Sequence, residues 1–526
     1  LTEAVAAHRA RLHALAPLLV AALAAAVAAW ASRPYAVGVF HDDGVYAVLA
    51  KSLATGQGYR YLHLPGAPSA IHYPPGYPLV LAALWRWSPA FPGNISLFLL
   101  ANTALLALTA WGVHRFARQL LGWPSGAAAL AAVAATLAYP LLMLSGLLLS
   151  EPLFVAALFP VLIAAERVAA GDDRATRALA VGVGAGLLAL VRTHAVAVAL
   201  ALVVILALRG RWRAAALCAA GVALALAPWQ WWVATHGVGL AESLRGSYGS
   251  YGAWLAEGAR GGGAGFIWHT IALNLRETVQ LLADRFALHD AASVRSITGW
   301  VIGLIVVAGA WRMWRRAPVT VAFAAVYFAV LLAWPYTPWR FFFALWPVLV
   351  LFIGAAAAAV FSHEIPVTRL TRPLALAVLA LVALGSIREE WRAYSRRAWL
   401  QPAEVATNQI APLIRWVSSS TSQEDIVAAE GEQLVYLFTG RRALPLARFT
   451  ASEYLRPPTA AEGAAQLGQI LTEFPVRYVL TISPPVLASA SLLGVKDSPA
   501  PSNAASPRLV PVAALPGGGV FRVDRQ

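Results

Sequence analysis

The stretch HDDGVYAVLAKSLATGQGY, residues 41–59, sets two adjacent carboxylates, Asp42 and Asp43, a few residues beyond an apolar run at 15–32. A run of that length suits a membrane-spanning helix, because hydrocarbon offers no partner to unpaired backbone groups. The carboxylates therefore fall at the edge of a bilayer. Small residues close the run (AAVAAWAS, residues 25–32), as they do at signal peptidase sites, but the apolar runs that follow favour a retained span.

Composition agrees. Of 526 residues, 59% are hydrophobic and 12% charged, and the mean hydropathy is +0.65. Soluble chains carry about a quarter charged residues, so this pattern indicates a polytopic membrane protein. The formal net charge of +15 does not point to nucleic acid, because Lys and Arg sit in short clusters between apolar runs. Apolar runs near the spanning length number about eleven: residues 15–32, 96–113, 125–144, 150–165, 178–191, 195–208, 214–232, 297–311, 319–334, 341–361 and 374–387. The basic clusters are Arg9/Arg11, Arg115/Arg118, Arg167/Arg174/Arg177, Arg209/Arg211/Arg213, Arg312/Arg315/Arg316 and Arg369/Arg372. In an eleven-span count all of them fall on one side, which the positive-inside rule makes the cytoplasm. The N-terminus is then cytoplasmic, while the loops 34–95 and 234–296 and everything after Arg388 lie outside. Cys218, the single cysteine, sits in an apolar run and is expected to pack there.

The chain thus divides into a transmembrane module, residues 1–388, and an extracytoplasmic tail, residues 389–526. The tail reads as a small α/β domain: an amphipathic helix at 405–417, a strand at 425–429, a helix at 459–471, a strand at 476–482 and another near the C-terminus. Residues 498–507 read as a Pro/Ser/Ala loop.

Taken alone, Asp42 reads as the N-cap of a helix carrying Tyr46, Leu49, Ala50 and Leu53 on one side. Its surroundings add more. IHYPPGYPLVLAALWRW, residues 71–87, follows two prolines and a glycine with an amphipathic, Trp-bearing run suited to the membrane interface. In LLLSEPLF, residues 147–154, Glu151 opens a span, a costly position unless it faces a cavity or a partner. Its simpler reading is a carboxylate favoured by the helix dipole, with Pro152 in the first turn. ALVRTHAV (189–196) and WPYTPWRFFFALWP (334–347) bring Arg192, His194 and Arg340 to the same outer level. Carboxylates beside cationic or imidazole groups are what group transfer from a lipid phosphate requires. One takes the proton from an attacking hydroxyl; the others neutralise charge on the departing phosphate. Neighbours on a helix point about 100° apart, so Asp42 and Asp43 cannot both address one hydroxyl.

At these residues the chain resembles the GT-C glycosyltransferases, in the branch that holds the protein mannosyltransferases and the aminoarabinose transferase of lipid A. The matching segments are Asp42-Asp43, Tyr46, Gly56-Gln57-Gly58-Tyr59, His72-Tyr73-Pro74-Pro75-Gly76-Tyr77-Pro78, Ser150-Glu151-Pro152-Leu153-Phe154, Leu190-Val191-Arg192 and Arg340-Phe341-Phe342-Phe343 ahead of Pro347. VYLFTGRRALP, residues 435–445, resembles the outer domain of bacterial members. Asp43 departs from the pattern, standing where many relatives have Glu, so its reach is shorter. The resemblance implies a bacterial inner-membrane enzyme with a polyprenyl-monophosphate sugar as donor, a glycan, lipid or protein hydroxyl as acceptor, and inversion at the anomeric carbon. Asp42 would be the general base, and Asp43 and Glu151 would bind or orient acceptor or sugar. Arg192, His72 and Arg340 would contact the lipid phosphate, with Tyr46, Tyr59, Tyr73 and His194 completing the substrate site. The chemistry requires no metal cofactor and leaves room for a divalent cation; zinc-type ligand spacing is missing from the sequence.

The glycines of SYGSYGAW (247–254) and ARGGGAGF (259–266) would let the second outer loop close over a substrate. Three other readings compete: a transporter or flippase of polyprenyl-linked sugars, a lipid-linked oligosaccharide ligase or polymerase, and a non-catalytic subunit whose carboxylates only cap helices. A transporter would place ionisable groups at mid-membrane depth, whereas the acidic groups here gather at the outer boundary. Asn94-Ile95-Ser96 matches a glycosylation sequon by chance.

Overall fold

Each apolar run of the sequence is helical in the computed structural model, which describes residues 2–172, 174–237, 239–361, 371–494 and 507–525. Among these residues four helices are long and apolar enough to cross a membrane: Ile95–Gln119, Glu151–Ala170, Trp212–His236 and Ala292–Met313. Ser125–Thr136 and Tyr139–Ser145 make a fifth if the pair, bent by 61°, is one span. The bend falls at Ala138, which leaves helical geometry at φ −59, ψ 130, and Pro140 sits in the first turn of the second helix, where its missing N–H costs nothing. Leu15–Ala31, Ala175–Val191, Thr193–Leu208, Pro318–Ala333 and Trp346–Phe361 are apolar but shorter. The structure thus assigns crossing length to fewer helices than the eleven spans expected.

The chain folds as two compact units. The first comprises Leu1–Arg33, Leu99–Pro228 and Thr270–Leu400. Its helices approach closely where glycine allows it: a Cβ on Gly182 would lie 2.1 Å from the Cys218 carbonyl oxygen, and one on Gly309 would lie 1.8 Å from that of Phe352. Cys218 is buried there and packs as expected. Glu166 accepts from the Thr320 backbone N–H at 2.7 Å and from its hydroxyl at 2.8 Å, which satisfies the N-terminus of the Pro318–Ala333 helix.

The second unit comprises Pro34–Phe98, Trp229–His269 and Gln401–Gln526. Two helices form in its first segment, Asp42–Ala54 and Gly76–Trp87, and pack on one another. The tail holds a five-stranded sheet in the order β2-β1-β3-β5-β4, with β1 Ile426–Ala429, β2 Ala443–Leu444, β3 Val476–Thr481, β4 Arg508–Leu515 and β5 Gly518–Asp524. β2, β1 and β3 are parallel, and β5 and β4 close the sheet antiparallel. The Gln401–Ser420 helix covers it through Ile410, Leu413 and Val417, against Val427, Leu480 and Val520. The Ala460–Glu473 helix begins at a capping box of Thr459 and Glu462. The Pro/Ser/Ala stretch lies, up to residue 506, outside the described residues.

The second long loop differs from expectation. Its glycine run lies within the helical stretch Tyr251–Phe286, broken at Gly263 by φ 55, ψ −152, a conformation open only to glycine. Asn94 is 1% exposed and donates to the Ser88 carbonyl, so it is not offered as a glycosylation site.

Candidate active site

The residues singled out from the sequence gather in two clusters, one within each unit. In the second unit the chain winds around Asp43. One carboxylate oxygen accepts the Gly38 N–H at 2.8 Å; the other accepts those of Phe40 at 3.0 Å and Gly44 at 2.9 Å. The turn this braces ends at His41, whose φ of 61 sets the direction of the helix that follows. Burial pushes the Asp43 carboxyl above its ordinary value, and these hydrogen bonds, with one from Tyr35, pull it back.

Asp42, the first residue of the helix, is half-buried, and its Oδ1 accepts from the Tyr73 hydroxyl at 2.7 Å. The cap position belongs to His41, which makes no side-chain capping bond, so Asp42 is not the N-cap. Tyr46, one helical turn on, meets Tyr73 edge-on at 5.4 Å and Tyr77 at 5.1 Å. The Tyr59 hydroxyl donates to the Tyr73 carbonyl at 2.8 Å. Burial holds the Tyr59 and Tyr73 phenols well above their ordinary values, so both remain donors. His72 donates from Nδ1 to the Gly249 carbonyl at 2.6 Å, with its ring 3.9 Å from that of Tyr251. Burial holds this imidazole down to about 4, which makes it a neutral hydrogen-bonding group at neutral pH.

A buried network that the sequence did not disclose adjoins these residues. The Tyr248 hydroxyl donates to Glu432 Oε1 at 2.6 Å and accepts from Gln433 at 2.7 Å and from His63 Nε2 at 2.9 Å. Gln433 also reaches His41 Nδ1 at 3.1 Å. Nearly two hundred positions separate Tyr248 from Glu432, and only the fold brings them together.

In the first unit Glu151, at the start of its helix, stands between two guanidiniums. Its Oε1 lies 3.0 Å from Arg192 Nη1 and 2.9 Å from Arg340 Nε. Arg192 occupies an extended link between two helices, where it also reaches the Ser150 hydroxyl at 3.2 Å and lies over the Phe341 ring at 4.7 Å. His194 packs on Phe341 at 4.6 Å and on Trp334 at 4.8 Å. Two guanidiniums thus meet at one carboxylate in a sheltered setting, and guanidiniums so placed are the groups that bind phosphate. Among the described residues, no three of His, Cys, Asp or Glu gather as metal ligands would.

No family model and no curated sequence relative matches the chain. Solved structures do. ArnT from Cupriavidus metallidurans bound to undecaprenyl phosphate aligns at a TM-score of 0.57 and 13% identity, over 96% of this chain and 97% of that one. ArnT in the apo state gives 0.51 at 13% identity, over 99% and 98%. AglB, the oligosaccharyltransferase of Archaeoglobus fulgidus, in complex with an inhibitory peptide and a dolichol-phosphate, gives 0.50 at 13% identity, over 90% and 70%. Identity so low, sustained over nearly the whole length, speaks to architecture: the chain shares the GT-C fold of ArnT and AglB.

Proposed function

We propose that this chain is a membrane glycosyltransferase that moves a sugar from a polyprenyl-monophosphate donor to an acceptor hydroxyl outside the bacterial inner membrane. The observation that carries the reading is the pairing of Arg192 and Arg340 around Glu151 in a fold shared with a protein solved on undecaprenyl phosphate. In the reaction the acceptor oxygen attacks the anomeric carbon and the bond from that carbon to the phosphate oxygen breaks. The bonding pair stays with the phosphate, and the configuration inverts. Asp42 takes the acceptor proton. Tyr73 holds its carboxylate in place through the 2.7 Å bond. Asp43, committed to three backbone N–H groups, acts as a positioning residue that fixes the turn before Asp42. Arg192 and Arg340 receive the charge on the departing phosphate. Tyr46, Tyr59, His72 and His194 shape the substrate site.

The topology belongs to the same proposal: eleven spans, a cytoplasmic N-terminus, a membrane module over 1–388 and an extracytoplasmic domain over 389–526. The likeness to AglB favours a second reading, transfer of a lipid-linked oligosaccharide in place of a single sugar.

Lipid mass spectrometry on cells that lack the native gene and express either the native chain or Asp42→Asn tests the proposal. A polyprenyl-phosphate sugar should accumulate with the variant alone, and its mass would identify the donor. An unchanged lipid profile, with the variant folded in the membrane, would contradict the reading.

A further inference from the structure

Two stretches that stand out in the sequence take no part in the transfer, Gly56-Gln57-Gly58 and the segment 435–445, and the fold brings both to one cavity of the second unit. The cavity holds about 510 Å³, within the ~300–1,000 Å³ of small-molecule sites. Gln57 lines it from the first stretch, Tyr436 and Arg442 from the second, and Gln423 and Glu424, just ahead of β1, complete its polar wall. Gly56 and Gly58, at φ 74 and 79, turn the chain so that Gln57 stands at its tip. The Gln57 amide nitrogen donates to the Thr55 hydroxyl at 2.9 Å and that of Gln423 reaches the Thr439 carbonyl at 3.5 Å, which leaves both amide oxygens to accept from a ligand hydroxyl. Gly440 makes room for Gln423, whose Oε1 a Cβ there would meet at 3.1 Å. Lys51 Nζ lies over the Tyr436 ring at 4.5 Å and braces it.

This set of groups selects its ligand by chemistry. A free anion is drawn to Arg442 and opposed by Glu424, and a cation meets the reverse. An uncharged ligand with paired hydroxyls uses both, since carboxylate, guanidinium and amide are planar and engage two neighbouring groups at once. The C–H face of a sugar ring packs on an aromatic ring such as that of Tyr436. A peptide strand is disfavoured: the edge of the sheet at this cavity is β2, and the Ala443 N–H there already donates to the His63 carbonyl at 2.8 Å.

The cavity stands apart from Asp42. Gln57 follows the far end of the 13-residue helix that Asp42 begins, about 20 Å along at ~1.5 Å per residue. A single sugar in the cavity is out of reach of that carboxylate, and a chain of sugars spans the distance. We infer that this cavity binds uncharged sugar units of an oligosaccharide. Naming that oligosaccharide as the acceptor rests on the transferase reading; the sugar chemistry of the cavity does not.

Isothermal titration calorimetry of the full-length protein, in a detergent without a sugar headgroup, tests the inference with hexasaccharides of glucose, mannose, galactose and N-acetylglucosamine. At least one should bind, and neither inorganic phosphate nor a glycine–serine hexapeptide should displace it. The double variant Glu424→Ala/Arg442→Ala should bind that hexasaccharide at least about tenfold more weakly, the weight of a hydrogen bond to a charged group. Should that variant not fold, Gln57→Ala, at an exposed turn, should lose about fivefold. Glu404→Ala/Arg415→Ala, which removes the same charges at exposed positions elsewhere in this unit, should bind as the native chain does, and so should Asp42→Asn. Failure of every hexasaccharide to bind, displacement by phosphate or the peptide, or equal binding by the native chain and the cavity variants overturns the inference. A loss in Asp42→Asn alone assigns the sugar to the candidate active site and overturns it too. The titration reads binding and not transfer, so its failure leaves the transferase reading standing.

Discussion

Replacing Glu151 by Gln removes a negative charge that two guanidiniums share. The Glu151 side chain is 1% exposed, that of Arg192 6% and that of Arg340 18%. Glutamine keeps an oxygen where Oε1 stands, so both contacts at about 3 Å survive while the charge is lost. Removing the charge of one partner of a buried ion pair costs about 3–5 kcal/mol. The surviving hydrogen bonds and the partial exposure of Arg340 place the expectation near the lower bound, about 3 kcal/mol. The same change favours a bound phosphate. A carboxylate held by the same guanidiniums opposes such an anion, so removing its charge should tighten phosphate binding. Thermal unfolding of the purified protein in phosphate-free detergent, with and without undecaprenyl phosphate, reads both effects. Glu151→Gln should unfold at a lower temperature without the lipid and respond to it with a larger upward shift than the native chain. Equal stability without lipid, or a smaller response, would refute the argument.

Asp43→Ala leaves the N–H groups of Gly38, Phe40 and Gly44 without their acceptor. At about 1–3 kcal/mol for each orphaned donor, part of it offset by losing a desolvated carboxyl, the turn before Asp42 should loosen. Limited proteolysis should then cut within residues 34–44 where the native chain resists, and unchanged protection would count against the brace. The buried histidines make the second unit labile to acid. His72 titrates at about 4 in the fold against an ordinary 6.5, so between those values the unfolded chain binds the proton and the folded chain does not. Its contribution is present above about pH 6.5 and is lost as the pH falls toward 4, at most about 3 kcal/mol, and His63, also held down by burial, adds the same sign. Unfolding temperatures from pH 7 to 4.5 should fall, and fall less steeply in His72→Phe; an identical slope in the variant would assign the acid lability elsewhere.

What could be read from the sequence follows from how local each signal is. Apolar runs need only their own composition to become helices, and each did. Crossing length was harder to judge: the bend at Ala138 splits one run, and others end in short polar turns. In the tail, the helices at Gln401–Ser420 and Ala460–Glu473 announce themselves by amphipathic spacing and a capping box. The eight-residue Glu432–Thr439 helix and the two-residue β2 carry too little periodicity to stand out. At the candidate site, chain position singled out Asp42, Glu151, Arg192 and Arg340, because charge at the edge of an apolar run is conspicuous. It could not foresee that Asp42 and Asp43 have different partners, Asp42 the Tyr73 hydroxyl and Asp43 the backbone. That distinction rests on the backbone N–H groups of Gly38, Phe40 and Gly44, which have no signature in the sequence. Nor could sequence anticipate a neutral His72 or the joining of Tyr248 to Glu432, Gln433 and His63, since burial and long-range contact produce both.

The central claim is that Asp42 takes the acceptor proton. Its most direct test is single-turnover transfer from the purified polyprenyl-phosphate donor by the native chain and by Asp42→Asn, with donor binding measured alongside. The account predicts that the variant binds the donor as the native chain does and transfers the sugar at least about a hundredfold more slowly, the ordinary weight of a general base. Transfer by Asp42→Asn within a few-fold of the native rate would contradict it.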